Sequence, residues 1–221
     1  MDNSNNNTES HPVSGCTGLQ FRAVGKIIVK QGENEGLTIQ ADPEIRSRVH
    51  TEVRDGILVI SYDSDWKDWT GFNFIDKGVA TFTLTLKDIK SLAISGVGNL
   101  DSASIISDSL SLSLSGPATM TFGTLTVNSL KVDMAGVGSI DVAGKCLEQN
   151  INLSGAGSYK ASRLESDRAT IKLSGVGSAT VLVNETLDAS ISGAGAVEYY
   201  GNAKITQKIS GIGVLKYLGT R

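Results

Sequence analysis

A phrase of the form apolar-Ser-Gly-x-Gly returns seven times with small departures, and no other feature of this 221-residue chain constrains its fold as tightly. Marking the first glycine of each copy gives Gly96, Gly116, Gly136, Gly155, Gly175, Gly193 and Gly211, at intervals of 20, 20, 19, 20, 18 and 18 residues. A period near 20 signals a solenoid or another repeat architecture, in which a unit buries its apolar face only against the next unit.

The columns of the repeat say which secondary structure is repeated. Six, four and two residues before the mark stand mainly apolar side chains, as in Leu110, Leu112 and Leu114, then Leu130, Val132 and Met134. Four and six residues after it the pattern resumes, as in Ile140 with Val142 and Ala179 with Val181, and the intervening residues are mostly polar. A period of two predicts half-buried strands, not helices. Each unit therefore reads as strand, Gly-x-Gly bend, second strand and a variable return. Stacking units in parallel register pairs the backbone groups of every strand except at the two ends. The predicted fold is all-β, a single-stranded parallel β-helix with coils of about 18–20 residues. Seven coils at about 4.8 Å per rung give a rod roughly 30 Å long. A leucine-rich repeat has similar length but needs a helical segment and an Asn ladder that are absent here.

The glycines then mark one corner of the coil, where a positive φ or a close backbone approach excludes a Cβ. The structural turn residues are Gly96 with Gly98, Gly116, Gly136 with Gly138, Gly155 with Gly157, Gly175 with Gly177, Gly193 with Gly195 and Gly211 with Gly213. The second copy departs from the rule as Ser115-Gly116-Pro117-Ala118, which predicts a stiffer corner. Ser95, Ser115, Ser154, Ser174, Ser192 and Ser210 precede the corner and are expected to share hydroxyl hydrogen bonds between rungs. A phosphate-cradling loop would have to open a helix, and no helical period follows any copy.

Position five after the mark carries Asp101, Thr121, Asp141, Lys160, Thr180, Glu198 and Lys216. Opposite charges one coil apart, Asp141 with Lys160 and Glu198 with Lys216, are expected to pair across rungs. The acids alternate with Lys and Thr, so the column does not supply the carboxylate pair that sugar-chain cleavage requires.

Before the repeat, residues 17–90 read as strands separated by turns, with Asp55-Gly56 as a hairpin turn between "TEV" and "ILVI". This region is expected to cover the open edge of the first coil and to be continuous with it, with the repeats filling 91–221. Residues 1–16 read as a disordered polar tail. The segment "DSDWKDWTGFNF" holds both tryptophans, and Trp66, Trp69, Phe72 and Phe74 are the candidate ligand-binding residues. They serve either to cover the end of the core or as an exposed platform for a sugar or a partner protein. Asp63, Asp65 and Asp68 lack the Gly and bidentate Glu of a calcium loop.

Composition narrows the function classes. The net charge is −3 with dispersed Lys and Arg, which argues against nucleic acid or anionic membrane as a partner. Two cysteines, Cys16 and Cys146, and two separated histidines make neither a disulfide framework nor a zinc site. No apolar run reaches the roughly 18 residues of a membrane span. The Asn/Ser-rich start is unlike a secretory leader; either the protein stays inside or a leader has been removed. No catalytic residue, cofactor or metal site is expected.

The strings "FRAVGKIIVKQGENEGLTIQAD", "VRDGILVISY" and "LKDIKSLAISGVGNLD", followed by serial "LSGxGS" units, resemble the bacterial family of putative auto-transporter adhesins, head GIN domain. The resemblance runs from about Leu19 to Leu218. It implies a right-handed β-helix in an exported, cell-envelope setting (periplasm, outer membrane or cell surface), often with a signal peptide or lipid anchor, and it carries no catalytic residues. The expectation is a non-enzymatic surface protein presenting a rigid face to a glycan or a surface protein. A polysaccharide-binding or polysaccharide-cleaving β-helix and a self-assembling scaffold are the alternatives.

Overall fold

The computed structural model describes residues 7–63 and 78–221. The chain opens with strands β1 (Thr8–His11), β2 (Gly18–Phe21), β3 (Val24–Gln31) and β4 (Gly36–Gln40), then a short helix, α1 (Pro43–Arg46). Strands β5 (Val49–Arg54), β6 (Ile57–Tyr62), β7 (Thr81–Leu86) and β8 (Ser91–Ile94) follow. Five long strands come next: β9 (Val97–Leu114), β10 (Pro117–Met134), β11 (Val137–Leu153), β12 (Ala156–Leu173) and β13 (Val176–Ile191). The chain closes with β14 (Ala194–Tyr200), β15 (Lys204–Ile209) and β16 (Ile212–Tyr217).

Each long strand winds once around the core and breaks only at the Ser-Gly corner. Successive strands pair in parallel, and the result is a parallel β-solenoid of about 6 turns with coils of about 20 residues. The corner glycines are equivalent in space: Gly138 faces Gly157, which faces Gly177, then Gly195, then Gly213. Away from the corner the register shifts in some pairs: β10 has one residue more than β11 between Phe122 and Leu125, and β12 three more than β13 between Ala161 and Glu165, the local irregularity of a bulged strand.

Inward columns form one continuous core. Leu112, Val132, Ile151, Ile171 and Ala189 are all fully buried in one column. One polar group interrupts a neighbouring column: Gln149 stands beneath Leu130 and is itself 0% exposed. Both the oxygen and the nitrogen of its carboxamide are hydrogen-bonded. Tyr159 Oη donates to Gln149 Oε1 at 2.7 Å, Gln149 Nε2 donates to Ser166 Oγ at 2.8 Å, and Ser166 Oγ donates to the Leu182 carbonyl at 2.9 Å. Tyr159 finds room because its partner on the next rung is Ala179. A closed chain of this kind removes the desolvation penalty that an unpaired buried amide would carry.

The corner geometry decides between the two reasons for glycine. None of the seven marks has a left-handed φ; of the corner glycines only Gly138 does, at +151°. Close approach is the cause. A Cβ on Gly175 would fall onto the carbonyl oxygen of Gly155, and one on Gly193 onto that of Gly175. Those carbonyls cannot retreat, because they accept the N–H of the next rung: Val176 N donates to Gly155 O at 3.0 Å and Ala194 N to Gly175 O at 3.0 Å. The serine column differs from the expected ladder. The hydroxyls of Ser95, Ser115 and Ser154 point at the Phe21, Ile94 and Met134 carbonyls one rung back, each at 3.5 Å, and not at one another.

The region before the repeat contributes rungs as well as a cover. β2 lies between β6 and β8, and β3 between β7 and β9, all in parallel. The β6–β7 rung is therefore outermost although it follows β2–β3 in the chain. β5 closes β6 and β4 closes β7, both antiparallel, and β1 pairs with β4. Asp55 (φ 50°) and Gly56 (φ 73°) form the β5–β6 hairpin turn, as their order in the sequence requires. Thr8–His11, inside the segment expected to be a disordered tail, is ordered as an edge strand. Its backbone pairs with Leu37–Gln40, and Glu9 takes an ion pair from Arg46 at 2.9 Å.

Three outcomes are expected from this packing. Gly175→Val destabilises the fold by about 3 kcal/mol through the carbonyl clash, whereas the exposed Val176→Ser stays within about 0.5 kcal/mol; denaturant titration reads both. Gln149→Leu strands the Tyr159 hydroxyl and costs about 1–3 kcal/mol, and adding Tyr159→Phe recovers most of the loss in the same measurement. Finally, burial pushes the Cys146 thiol from 9.0 up to about 12, with Asp167 adding to it, and burial pushes the Tyr62 phenol from 10.0 up to about 12. The folded state then holds these protons more tightly than the unfolded chain. Stability is full below pH 9 and falls between about pH 9 and 12; melting temperatures across that range show the decline, and Cys146→Ala flattens its lower part.

Candidate functional site

The residue that follows the first glycine faces outward in each of the seven repeat copies. Val97 is 46% exposed, Val137 61%, Val176 64% and Ile212 88%, and Pro117, Ala156 and Ala194 are exposed in the same column. The strand pattern alone does not force an apolar residue here, since these side chains are exposed. The neighbouring residues are glycines, with Ala118 beside Pro117 as the exception, so the column stands as a narrow apolar ridge on nearly bare backbone, repeating at about 4.8 Å. The ridge is rigid because each corner is fixed twice. Met134 O accepts both Ser154 N at 2.9 Å and Gly155 N at 3.1 Å, and Leu173 O accepts Ser192 N at 2.9 Å and Gly193 N at 3.2 Å.

At its N-terminal end the ridge borders a concavity of about 460 Å³ walled by Val24, Val79, Val97, Pro117 and Val137 over Gly25, Gly98 and Gly138. Lys26 and Asp101 pair at 3.5 Å on the flank. Val79 is 67% exposed and forms the lip. The chain leaves the outermost rung at Tyr62, whose hydroxyl donates to Val24 O at 2.9 Å, and returns at Ala80, whose carbonyl accepts Lys26 N at 2.8 Å. Both points lie beside the Ala23-Val24-Gly25 corner. The candidate ligand residues Trp66, Trp69, Phe72 and Phe74 lie outside the described residues.

The position-five column is only partly a ladder of ion pairs. Glu198 pairs with Lys216 at 3.8 Å as its register predicts, and accepts from Thr180 Oγ1 at 3.4 Å. Asp141 lies opposite Lys160 but takes its ion pair from Arg163 at 3.1 Å, a residue at the next bend whose guanidinium reaches back. These pairs are exposed, contribute little stability and leave no pair of acids facing one substrate position. Among the described residues no three His, Cys, Asp or Glu side chains converge as a metal site would need. Cys16 and Cys146 are buried free thiols. No helix among the described residues is long and apolar enough to cross a membrane.

A parallel solenoid with an N-terminal cover and a bare glycine corner defines a class of β-helical domain. Residues 17–203 match the family described as putative auto-transporter adhesin, head GIN domain, and the chain belongs to that family. Among solved structures, a putative adhesin from Bacteroides fragilis NCTC 9343 superposes with a TM-score of 0.87 at 23% identity, over 96% of each chain. A putative adhesin from Parabacteroides merdae ATCC 43184 gives 0.72 at 20% identity, covering 96% of this chain and 95% of that one. A putative lipid binding protein from Parabacteroides distasonis ATCC 8503 gives 0.72 at 20% identity, covering 97% and 98%. At these identities the likeness is one of fold. No curated protein matches the sequence.

Proposed function

We propose that this chain is a non-enzymatic, adhesin-like binding module, exported to the cell envelope or surface, that presents a rigid β-helical face to its partner. The observation that carries the reading is the division of labour within the repeat. Inward columns pack, glycines turn, and the outward corner column is apolar and exposed without a packing reason, which is the mark of a contact surface. Rigidity favours such a role, because a preformed face loses little conformational entropy on binding. Membership of a family described as adhesins supports the same reading, as do the two putative adhesins of the same fold. The aromatic residues Trp66, Trp69, Phe72 and Phe74 belong to the proposal as a second contact, since their segment is inserted in sequence beside the same corner.

Beads coated with the full chain and counted on immobilised glycans, matrix proteins and bacterial cells give the direct test. Adherence at least severalfold above albumin-coated beads is expected, reduced by the paired change Val137→Lys with Val176→Lys and by Trp66→Ala with Trp69→Ala. Adherence no greater than that of albumin on every surface sinks the proposal.

A further inference from the structure

The place where chain order and stacking order disagree leaves a second, polar concavity on the far side of the coil. From β7 the chain must pass the β2–β3 rung to reach β8, and it does so through residues 87–90 alone. Elsewhere the same side of the coil is a full strand segment, such as 103–109 in β9. The short crossing leaves a notch of about 600 Å³ across three successive rungs, walled by Asp88, Lys90, Ile106, Asp108 and Asn128 with hydroxyls from Ser107, Ser109 and Thr126. That volume is within the usual range for small-molecule sites.

The notch is held in place by a side chain acting as a peptide. β3 ends at Gln31, so its rung has no strand on this side, and the Gln31 amide fills the missing position. Gln31 Nε2 donates to Ile106 O at 2.9 Å and to Lys87 O at 3.1 Å, while Gln31 Oε1 accepts Ile106 N at 2.8 Å. Ile106 is thus fixed by its backbone and yet 68% exposed by its side chain. Asn128 Nδ2 donates to Asp108 Oδ1 at 3.2 Å, orienting that carboxylate. The side chains of Asp88 and Lys90 make no hydrogen bond or salt bridge with other described residues.

We propose that this notch binds a neutral saccharide. The claim rests on the adhesin-like reading and names a site and ligand class for it. Two carboxylates accept hydroxyl hydrogen bonds, the Asn128 amide and Lys90 ammonium donate to ring and hydroxyl oxygens, and Ile106 gives the C–H face of a sugar ring an apolar seat. Two acids against one base leave a local excess of negative charge, which disfavours phosphate, sulfate and uronate groups. Two carboxylates, one of them already held by Asn128, with an ammonium beside them, are a poor set for a divalent cation.

The test is titration of the full chain, by calorimetry and ligand-observed NMR, with di- to tetrasaccharides of glucose, galactose, mannose and N-acetylglucosamine; sialic acid and glucuronate oligomers serve as anionic controls. Binding of at least one neutral oligosaccharide is expected, weakened about tenfold or more by Asp88→Ala with Asp108→Ala, with Ile106→Ser acting in the same direction and unchanged melting temperatures. Preference for the anionic controls, no binding to any neutral oligosaccharide, or binding indifferent to these changes overturns the proposal. The two readings fail separately. Beads that adhere equally well with and without the double change, together with no saccharide titration, remove the notch and keep the adhesin-like module. Saccharide titration lost in the double variant, with beads that adhere nowhere, does the reverse.

Discussion

One contact organises the molecule: a glycine Cα resting against the carbonyl oxygen of the glycine one rung below. It is a contact by exclusion, possible only because a hydrogen atom stands where every other residue has carbon. With the Cβ gone, neighbouring rungs come close enough for one carbonyl to accept two consecutive N–H groups, as the Met134 carbonyl does from Ser154 and Gly155. The corner then needs no side chain to hold it, and the residue between the glycines is released from structural duty. The outward position of this column follows from how the turn is made and recurs with it, while the apolar character of its residues does not.

The same economy explains what varies. Core columns accept Leu, Val, Ile, Met or Ala because a stacked coil can exchange volume between rungs, as Tyr159 does against Ala179. Apart from Ser102, whose buried hydroxyl has no partner, the buried polar residues enter the core as a connected set. Gln149, Tyr159 and Ser166 come from two coils, and none of the three could be buried cheaply without the others. Each of the two glycine columns admits one alanine, Ala23 opposite Gly96 in the first and Ala118 in the second. Ala118 occupies a second-glycine position and is buried there, so one rung accommodates a methyl group at that place.

The solenoid, its period, its corner and the Asp55-Gly56 hairpin were legible in the sequence because each is written in local spacing, a period of two within strands and of about 20 between coils. What could not be read depends on which distant segments become neighbours. Ala23-Val24-Gly25 is a degenerate copy of the corner, and its alanine hides it from a search for paired glycines; only its register against Val97 and Gly98 reveals a rung. Arg163 displaces Lys160 as the partner of Asp141 because side-chain reach across a bend is not encoded in column position. The role of Gln31 was invisible for the same reason, since it bonds residues 56 and 75 positions away. The outward ridge did carry a signal, an apolar residue flanked by glycines on every repeat coil but the Gly116-Pro117-Ala118 one, but smallness accounted for it equally well.

The threading of β2 and β3 between later strands bears on how the chain is assembled. Each of the two is bordered on both edges by segments that follow it in sequence, the last of them in β9. A chain that emerges N-terminus first can fill one edge of β2 from residues 57–60 and one edge of β3 from 81–86, but the second edges wait for 91–94 and 97–102, whereas every later coil meets its predecessor already formed. The solenoid therefore does not lengthen from one end only: the earliest strands lie inside the stack, and rungs are added on both sides of them.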